Sequence, residues 1–479
     1  MRRRAARLFL LVLVLASAMA HAELPQDVVT ALQQAQIPQD NVAVFVQRVD
    51  ANIPLLIHQV SKPFNPASVM KLLTTYAGLS ILGPAYRWRT EVYTDGELVN
   101  GVLKGNLILK GYGDPALMAE DYWRLLNSLR QLGIKDIQGN LVIDNTWFAP
   151  INDNAGAFDG ELYRSYNAIP SAMLVNLKST SFKFQISYQH DIPAVSITSE
   201  PDLPEIKVTN LMQIILGDCG DWRNKVGYKI KPVAVNDKLN EFSLEFNGTY
   251  PESCGEKYIE LSLVDDAAYA FYLFHKLWLQ LGGTIQGTLQ RTISPVPATK
   301  FTEQTSEPMA DIVRRINKYS NNLMARQLLL TIGAEKIATP ANEVGGTKAI
   351  TDWLASKRMS FPELVIDNGA GLSRNARISA QHLGTLLLDA YASPVMPEFM
   401  SSLPILSLDG TMARRMKDSP LSGRAHLKTG SLNGVSTIAG YVLDNKGRRW
   451  AMVFMINHPL AANSKVAQDA LINWVYQQP

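Results

Sequence analysis

Two textures alternate along this chain, and their order limits its fold more than any single motif. Near the start, 42–49 and 55–60 read as alternating strands turned by Asp50-Ala51-Asn52, and Phe64-Asn65-Pro66-Ala67 breaks the pattern before a helical run over 68–82. Met70, Leu73, Ala77 and Ile81 share one face of that run, and Gly83-Pro84 ends it. From 86 to 264 the chain turns to short β-type runs at 90–93, 106–110, 140–143, 182–187, 194–198, 228–232 and 241–246, with one helix near 122–132. Helices return at 269–281, 309–316, 321–331, 347–357 and 379–392. Strands 435–443 and 449–456, joined by the hairpin signal Asp444-Asn445-Lys446-Gly447, and a closing helix over 465–476 complete the chain. Strands at both ends with helices between them predict an α/β (α+β) domain. It is an antiparallel sheet with helices on its faces, assembled from 23–84 and 265–479. The stretch 85–264 is then a long, mostly β insertion, and its part from about 175 to 250 reads as a second subdomain.

The first residues carry an address. Arg2, Arg3, Arg4 and Arg7 precede an apolar run over 8–19, and Ala20-His21-Ala22 offers small residues where a signal peptidase reads. The run falls short of the roughly 20 residues that a span needs, so 1–22 is expected to be an export signal cleaved after Ala22, with no transmembrane span left after its removal. Export permits a bridge between the only two cysteines, Cys219 and Cys254. Such a bridge stabilises by roughly 3–4 kcal/mol; the alternative is two unpaired thiols. A formal net charge of only +3 supplies no footprint for nucleic acid. The seven histidines are scattered away from helical ligand spacing, so neither a metal nor a cofactor is expected.

Three short motifs carry chemistry. In Ser68-Val69-Met70-Lys71, helical spacing lays the lysine amine over the serine hydroxyl. Desolvated and crowded by cations, that amine can act as the base that a serine nucleophile requires. Read alone, Ser68 is equally an N-cap followed by a solvated lysine. Ser320-Asn321-Asn322 falls between two helical runs, where Ser320 can relay a proton and Asn322 can hold a substrate amide; alone it is a plain N-cap. Lys428-Thr429-Gly430-Ser431 leads into the 435 strand. An edge strand there can pair with an extended peptide. The hydroxyls of Thr429 and Ser431 suit a terminal carboxylate, Lys428 adds a positive field, and Gly430 keeps the wall low. The backbone N–H groups of Ser431 and Ser68 can form an oxyanion hole.

Taken in order, Ser-x-x-Lys, Ser-x-Asn and Lys-Thr-Gly resemble the signature of penicillin-binding proteins and serine β-lactamases. Asn65-Pro66-Ala67, Tyr319, Asp367-Asn368-Gly369-Ala370-Gly371-Leu372-Ser373-Arg374 and His426-Leu427 narrow the resemblance to D-alanyl-D-alanine carboxypeptidases/endopeptidases of the penicillin-binding protein 4 type, peptidase family S13. The resemblance implies a transpeptidase-like fold and a periplasmic hydrolase acting on peptidoglycan stem peptides and cross-links, with β-lactams as inhibitors. It implies Ser68 as acylated nucleophile, Lys71 as base, Ser320, Asn322 and Lys428 as the proton network, and Thr429, Gly430 and Ser431 as carboxylate wall. It further implies a diaminopimelate pocket of Arg374, Asn433, Glu161 and Tyr166. Here the chain departs from the pattern, which has Asp and Phe for the last two and a longer amide for Asn433. A β-lactamase, or a wall-binding scaffold without activity, are the rival readings. A homodimer is left open.

Overall fold

The computed structural model describes residues 23–190, 192–235, 239–292 and 297–479, and the expected export signal lies outside them. A five-stranded antiparallel sheet runs in the order Leu56–His58, Val42–Arg48, Arg449–Asn457, Val435–Leu443, Ala425–Leu432. Val42 faces Ile456 and Arg48 faces Trp450, so the first long strand is stitched to the last. Successive side chains on a strand point to opposite faces, and here both faces are covered. Val44, Val46, Ile438, Met452 and Phe454 enter a core shared with helices Gln26–Gln34 and Lys465–Tyr476. Ala43, Phe45, Ala439, Tyr441, Val453 and Met455 enter the opposite core with helices Lys71–Leu82, Met309–Tyr319, Asn322–Lys336 and Ala380–Ala392. The half-buried alternation read over 42–49 is therefore corrected, because 42–46 is buried throughout. The single apolar face read on the first helix is corrected likewise: Lys71 to Leu79 are all buried. That helix lies under the sheet and the other helices together.

The β-rich stretch forms separate sheets. Ile192–Glu200, Thr180–Gln189 and Lys257–Leu261 make one; Ile206–Ile215, Leu239–Pro251 and Val226–Val235 make another. Edge-to-face contacts of Phe246 with Phe182 and Phe184 fasten them together. Cys219 and Cys254 are bridged, with Cα atoms 4.6 Å apart. A mixed five-stranded sheet takes Leu107–Gly111, Leu141–Asp144 and Arg89–Thr94 from the insertion. It also takes Leu289–Thr292 and Thr299–Thr305, and helix Asp266–Gln280 packs into the same core. Residues 266–292 and 299–305, expected with the sheet-and-helix unit, thus pair and pack with the inserted strands. Helical texture alone does not say which sheet a helix will cover. We propose that the insertion runs to about 306 rather than 264.

Candidate active site

The Ser68 turn is built before the helix begins. Ala67–Met70 forms one 3-10 turn that runs directly into Lys71–Leu82. Ser68 therefore lies inside the turn and caps nothing, which corrects the N-cap alternative. Asn65 locks the approach: its Oδ1 accepts from Ala67 N at 2.9 Å, its Nδ2 donates to Ser373 O at 2.8 Å, and its own N–H donates to Asn457 Oδ1 at 2.8 Å. Thr437 Oγ1 donates to Pro66 O at 2.7 Å. Ala67 takes a left-handed φ of 46°, a strain that this web over-determines. Apart from the local Asn65–Ala67 bond, these supporting contacts depend on partners hundreds of residues away, which sequence alone does not reveal.

Lys71 is fully buried, and its Nζ lies 3.0 Å from Ser68 Oγ, 2.7 Å from Asn322 Oδ1 and 2.6 Å from Ala370 O. A neutral amine has two N–H donors and one lone pair. In that form, donation to Asn322 Oδ1 and Ala370 O would use both N–H groups and leave the lone pair for the Ser68 hydroxyl. Burial first, and then the Lys428 cation, hold the Lys71 pKa well below the ordinary lysine value, which favours the neutral form. The Ala370 carbonyl comes from the Asp367–Arg374 segment. Sequence reading drew only Arg374 from it.

Ser320 closes helix Met309–Tyr319 in a left-handed conformation, φ 57°. Asn321 then caps helix Asn322–Lys336 by accepting from Met324 N. The short connection between the two helices thus turns Ser320 and Asn322 toward the two buried lysines. Lys428 Nζ donates to Ser320 Oγ at 2.8 Å and to Thr429 O at 2.7 Å. Burial pushes its pKa down to about 7.

The sheet edge is Ala425–Leu432, which corrects the reading of the motif as the entrance to the 435 strand: the motif lies in a strand of its own, and Val435–Leu443 is flanked on both sides. The first half of the edge strand is covered, since Leu406 N donates to Ala425 O and Leu427 N donates to Pro404 O. Residues two apart on a strand turn their backbone groups the same way. The N–H of Ser431 therefore faces the open part of that edge, and Ser431 is exposed. Gly430 has a sharper reason than a low wall. A Cβ there would lie 2.7 Å from Pro66 O and 2.9 Å from Ser68 N. Only glycine lets the edge strand lie against the Ser68 turn. Thr429 Oγ1 donates to Thr411 Oγ1 at 3.0 Å, a neighbour that sequence reading missed.

The expected side-chain pocket is partly brought together. Arg374 Nη1 donates to Asn433 O at 2.8 Å. The aromatic beneath the Arg374 guanidinium is Phe158, 4.6 Å away, rather than Tyr166. Tyr166 OH instead donates to Asp159 Oδ2 at 3.0 Å, and its carbonyl accepts from Asn322 Nδ2 at 3.3 Å. Glu161 turns to Arg164 at 3.3 Å. Phe158 stacks under Arg374, and Asp159 bonds Tyr166. Both sit just upstream of Glu161 and Tyr166, in a loop where one sequence fixes no register.

Residues 24–478 match the D-Ala-D-Ala carboxypeptidase 3 (S13) family. The chain belongs to that family. It is a serine-type peptidase on a mixed α/β fold with antiparallel sheets. It is 25% identical over 431 residues to D-alanyl-D-alanine carboxypeptidase DacB of Haemophilus influenzae, covering 90% of this chain and 88% of that one. It is 26% identical to a D-alanyl-D-alanine carboxypeptidase of an Actinomadura species, covering 94% and 85%. The crystal structure of penicillin binding protein 4 from Haemophilus influenzae superposes with a TM-score of 0.76 at 23% identity, covering 94% of this chain and 99% of that one. Among the described residues no helix is long and apolar enough to cross a membrane.

Proposed function

We propose that this S13 peptidase works in the periplasm, through an acyl-enzyme on Ser68, as both carboxypeptidase and endopeptidase on peptidoglycan stem peptides. The observation that carries the reading is the fully buried Lys71 Nζ, 3.0 Å from Ser68 Oγ and bound to Asn322 Oδ1 and Ala370 O. Lys71 takes the Ser68 proton as Oγ attacks the carbonyl of the penultimate D-alanine. The N–H groups of Ser68 and Ser431 hold the oxyanion. As the tetrahedral intermediate collapses, the C–N bond breaks and the leaving amine takes a proton from Lys71 or through Ser320. Water then attacks the ester, giving the shortened peptide and free Ser68. Loss of a terminal D-alanine is carboxypeptidase action; the same step on a cross-link is endopeptidase action. Arg374, stacked on Phe158 and bonded to Asn433 O, suits the polar end of a diaminopimelate side chain.

β-Lactams present a strained amide and a carboxylate to the same groups, and the Haemophilus influenzae relative has been solved in complex with one. We therefore expect inhibition by a long-lived acyl-enzyme. Incubation with benzylpenicillin, followed by peptide mass mapping, should give a stable adduct on the Ser68 peptide, absent in Ser68→Ala. Penicillin consumed over many cycles would mean a β-lactamase. No adduct with penicillin intact would mean a scaffold.

A further inference from the structure

Beside the Lys-Thr-Gly strand stands a hydroxyl that the mechanism above does not use. Thr411 is exposed, on the short turn Gly410–Met412, and its Oγ1 is 3.0 Å from Thr429 Oγ1. The turn is anchored from beneath. Lys318, almost fully buried, donates to Asp409 Oδ2 and to Leu403 O, both at 2.6 Å. Asp409 Oδ1 accepts from Ile405 N at 2.7 Å. Gly410 is left-handed, φ 55°, and a Cβ there would lie 2.6 Å from Lys318 O. Lys318 stands two residues before Ser320 on the same helix. One helix end thus sets both Ser320 and the Thr411 turn.

We propose that Thr411 is a further carboxylate-recognition residue, working with Thr429 on the terminal carboxylate of the substrate; this rests on the acyl-enzyme reading above. A hydroxyl has one proton to donate and two lone pairs. Without ligand, the Thr429 proton is spent on Thr411. A carboxylate accepts only, so on its arrival the Thr429 proton must turn to it, leaving the Thr429 oxygen free to accept. The Thr411 hydroxyl rotates to donate into that oxygen. The resulting chain runs from Thr411 O–H to Thr429 O–H to carboxylate, no proton changes owner, and each bond polarises the next. A residue without a hydroxyl at 411 would leave Thr429 unsupported when it donates.

The test uses Thr411→Val, close in shape but without the donor, and Thr411→Ser, which restores it. The second-order rate of Ser68 acylation is measured with benzylpenicillin and with its methyl ester, which lacks the carboxylate. We expect Thr411→Val to slow the acid about tenfold, the scale of one charge-assisted hydrogen bond, and the ester less than about twofold. Thr411→Ser should recover the acid. Equal slowing of acid and ester, or slowing of neither, overturns the proposal while leaving Ser68 acylation standing. Wild-type protein that takes no label at Ser68 overturns the acyl-enzyme reading and this one together.

Discussion

Lys428 is a cationic side chain placed where water does not reach, and its cost to the fold is measurable. Its pKa in the folded chain is about 7 against 10.5 for an exposed lysine. Between those values the unfolded chain binds a proton that the folded chain lacks. Stability therefore rises as pH climbs from about 7 toward 10, and this contribution is lost as pH falls through 7. Lys428→Met should flatten that dependence. Urea midpoints at pH 7, 8 and 9 would check it, and parallel slopes for variant and wild type would refute it. Lys71 shares the burial and adds the repulsion of Lys428. Both lysines were legible as motif letters, because spacing three apart on a helix and the order of the motifs are local or ordinal facts. Their burial was not legible, because it comes from elements that meet them only in space: the Ala370 carbonyl, the Ser320 hydroxyl, and the helices overhead.

Among the elements, the seam between the edge strand and the Ser68 turn is the tightest joint at the site. In Gly430→Ala the added methyl would lie 2.4 Å from Thr437 Oγ1 as well as against backbone on the Ser68 side. A shift of about 1 Å can cost a hundredfold in rate, so acylation of Ser68 by penicillin should fall by about that much. Far-UV circular dichroism should stay as in wild type; retained acylation would show that the seam yields. Element types were readable where the apolar pattern was long: the closing helix Lys465–Tyr476 has the expected limits, and the terminal hairpin turns on Asp444–Gly447. Reading failed where pairing is remote. Strands Ile206–Ile215 and Lys257–Leu261 went unread, each half-exposed and marked by no strong alternation. Phe158 was missed for a similar reason, since its contact with Arg374 joins residues more than two hundred positions apart.

At the scale of the molecule, the disulfide and the site belong to different cores. Cys254 packs with the inserted aromatics, whereas the helix of Lys71 packs beneath the main sheet. The bridge spans a sequence separation of 35, and closing a loop of that length stabilises by roughly 3–4 kcal/mol. A double Cys219→Ala, Cys254→Ala variant should therefore unfold at lower temperature, yet acylate Ser68 at the wild-type rate at 25 °C; calorimetry and penicillin labelling measure the two. Slowed acylation in a folded variant would show that the inserted sheets steer the site. The stitching of Val42–Arg48 to Arg449–Asn457 has a different reach. A ribosome delivers the nucleophile early and its sheet partner last. The pairing of the first long strand with the last must wait for residues 449–457. For most of its time as a nascent chain the protein carries its serine and its first lysine but no second lysine, no edge strand and no oxyanion donor at 431. On the proposed mechanism, a chain cut before Lys428 would lack both the second lysine and an intact edge strand.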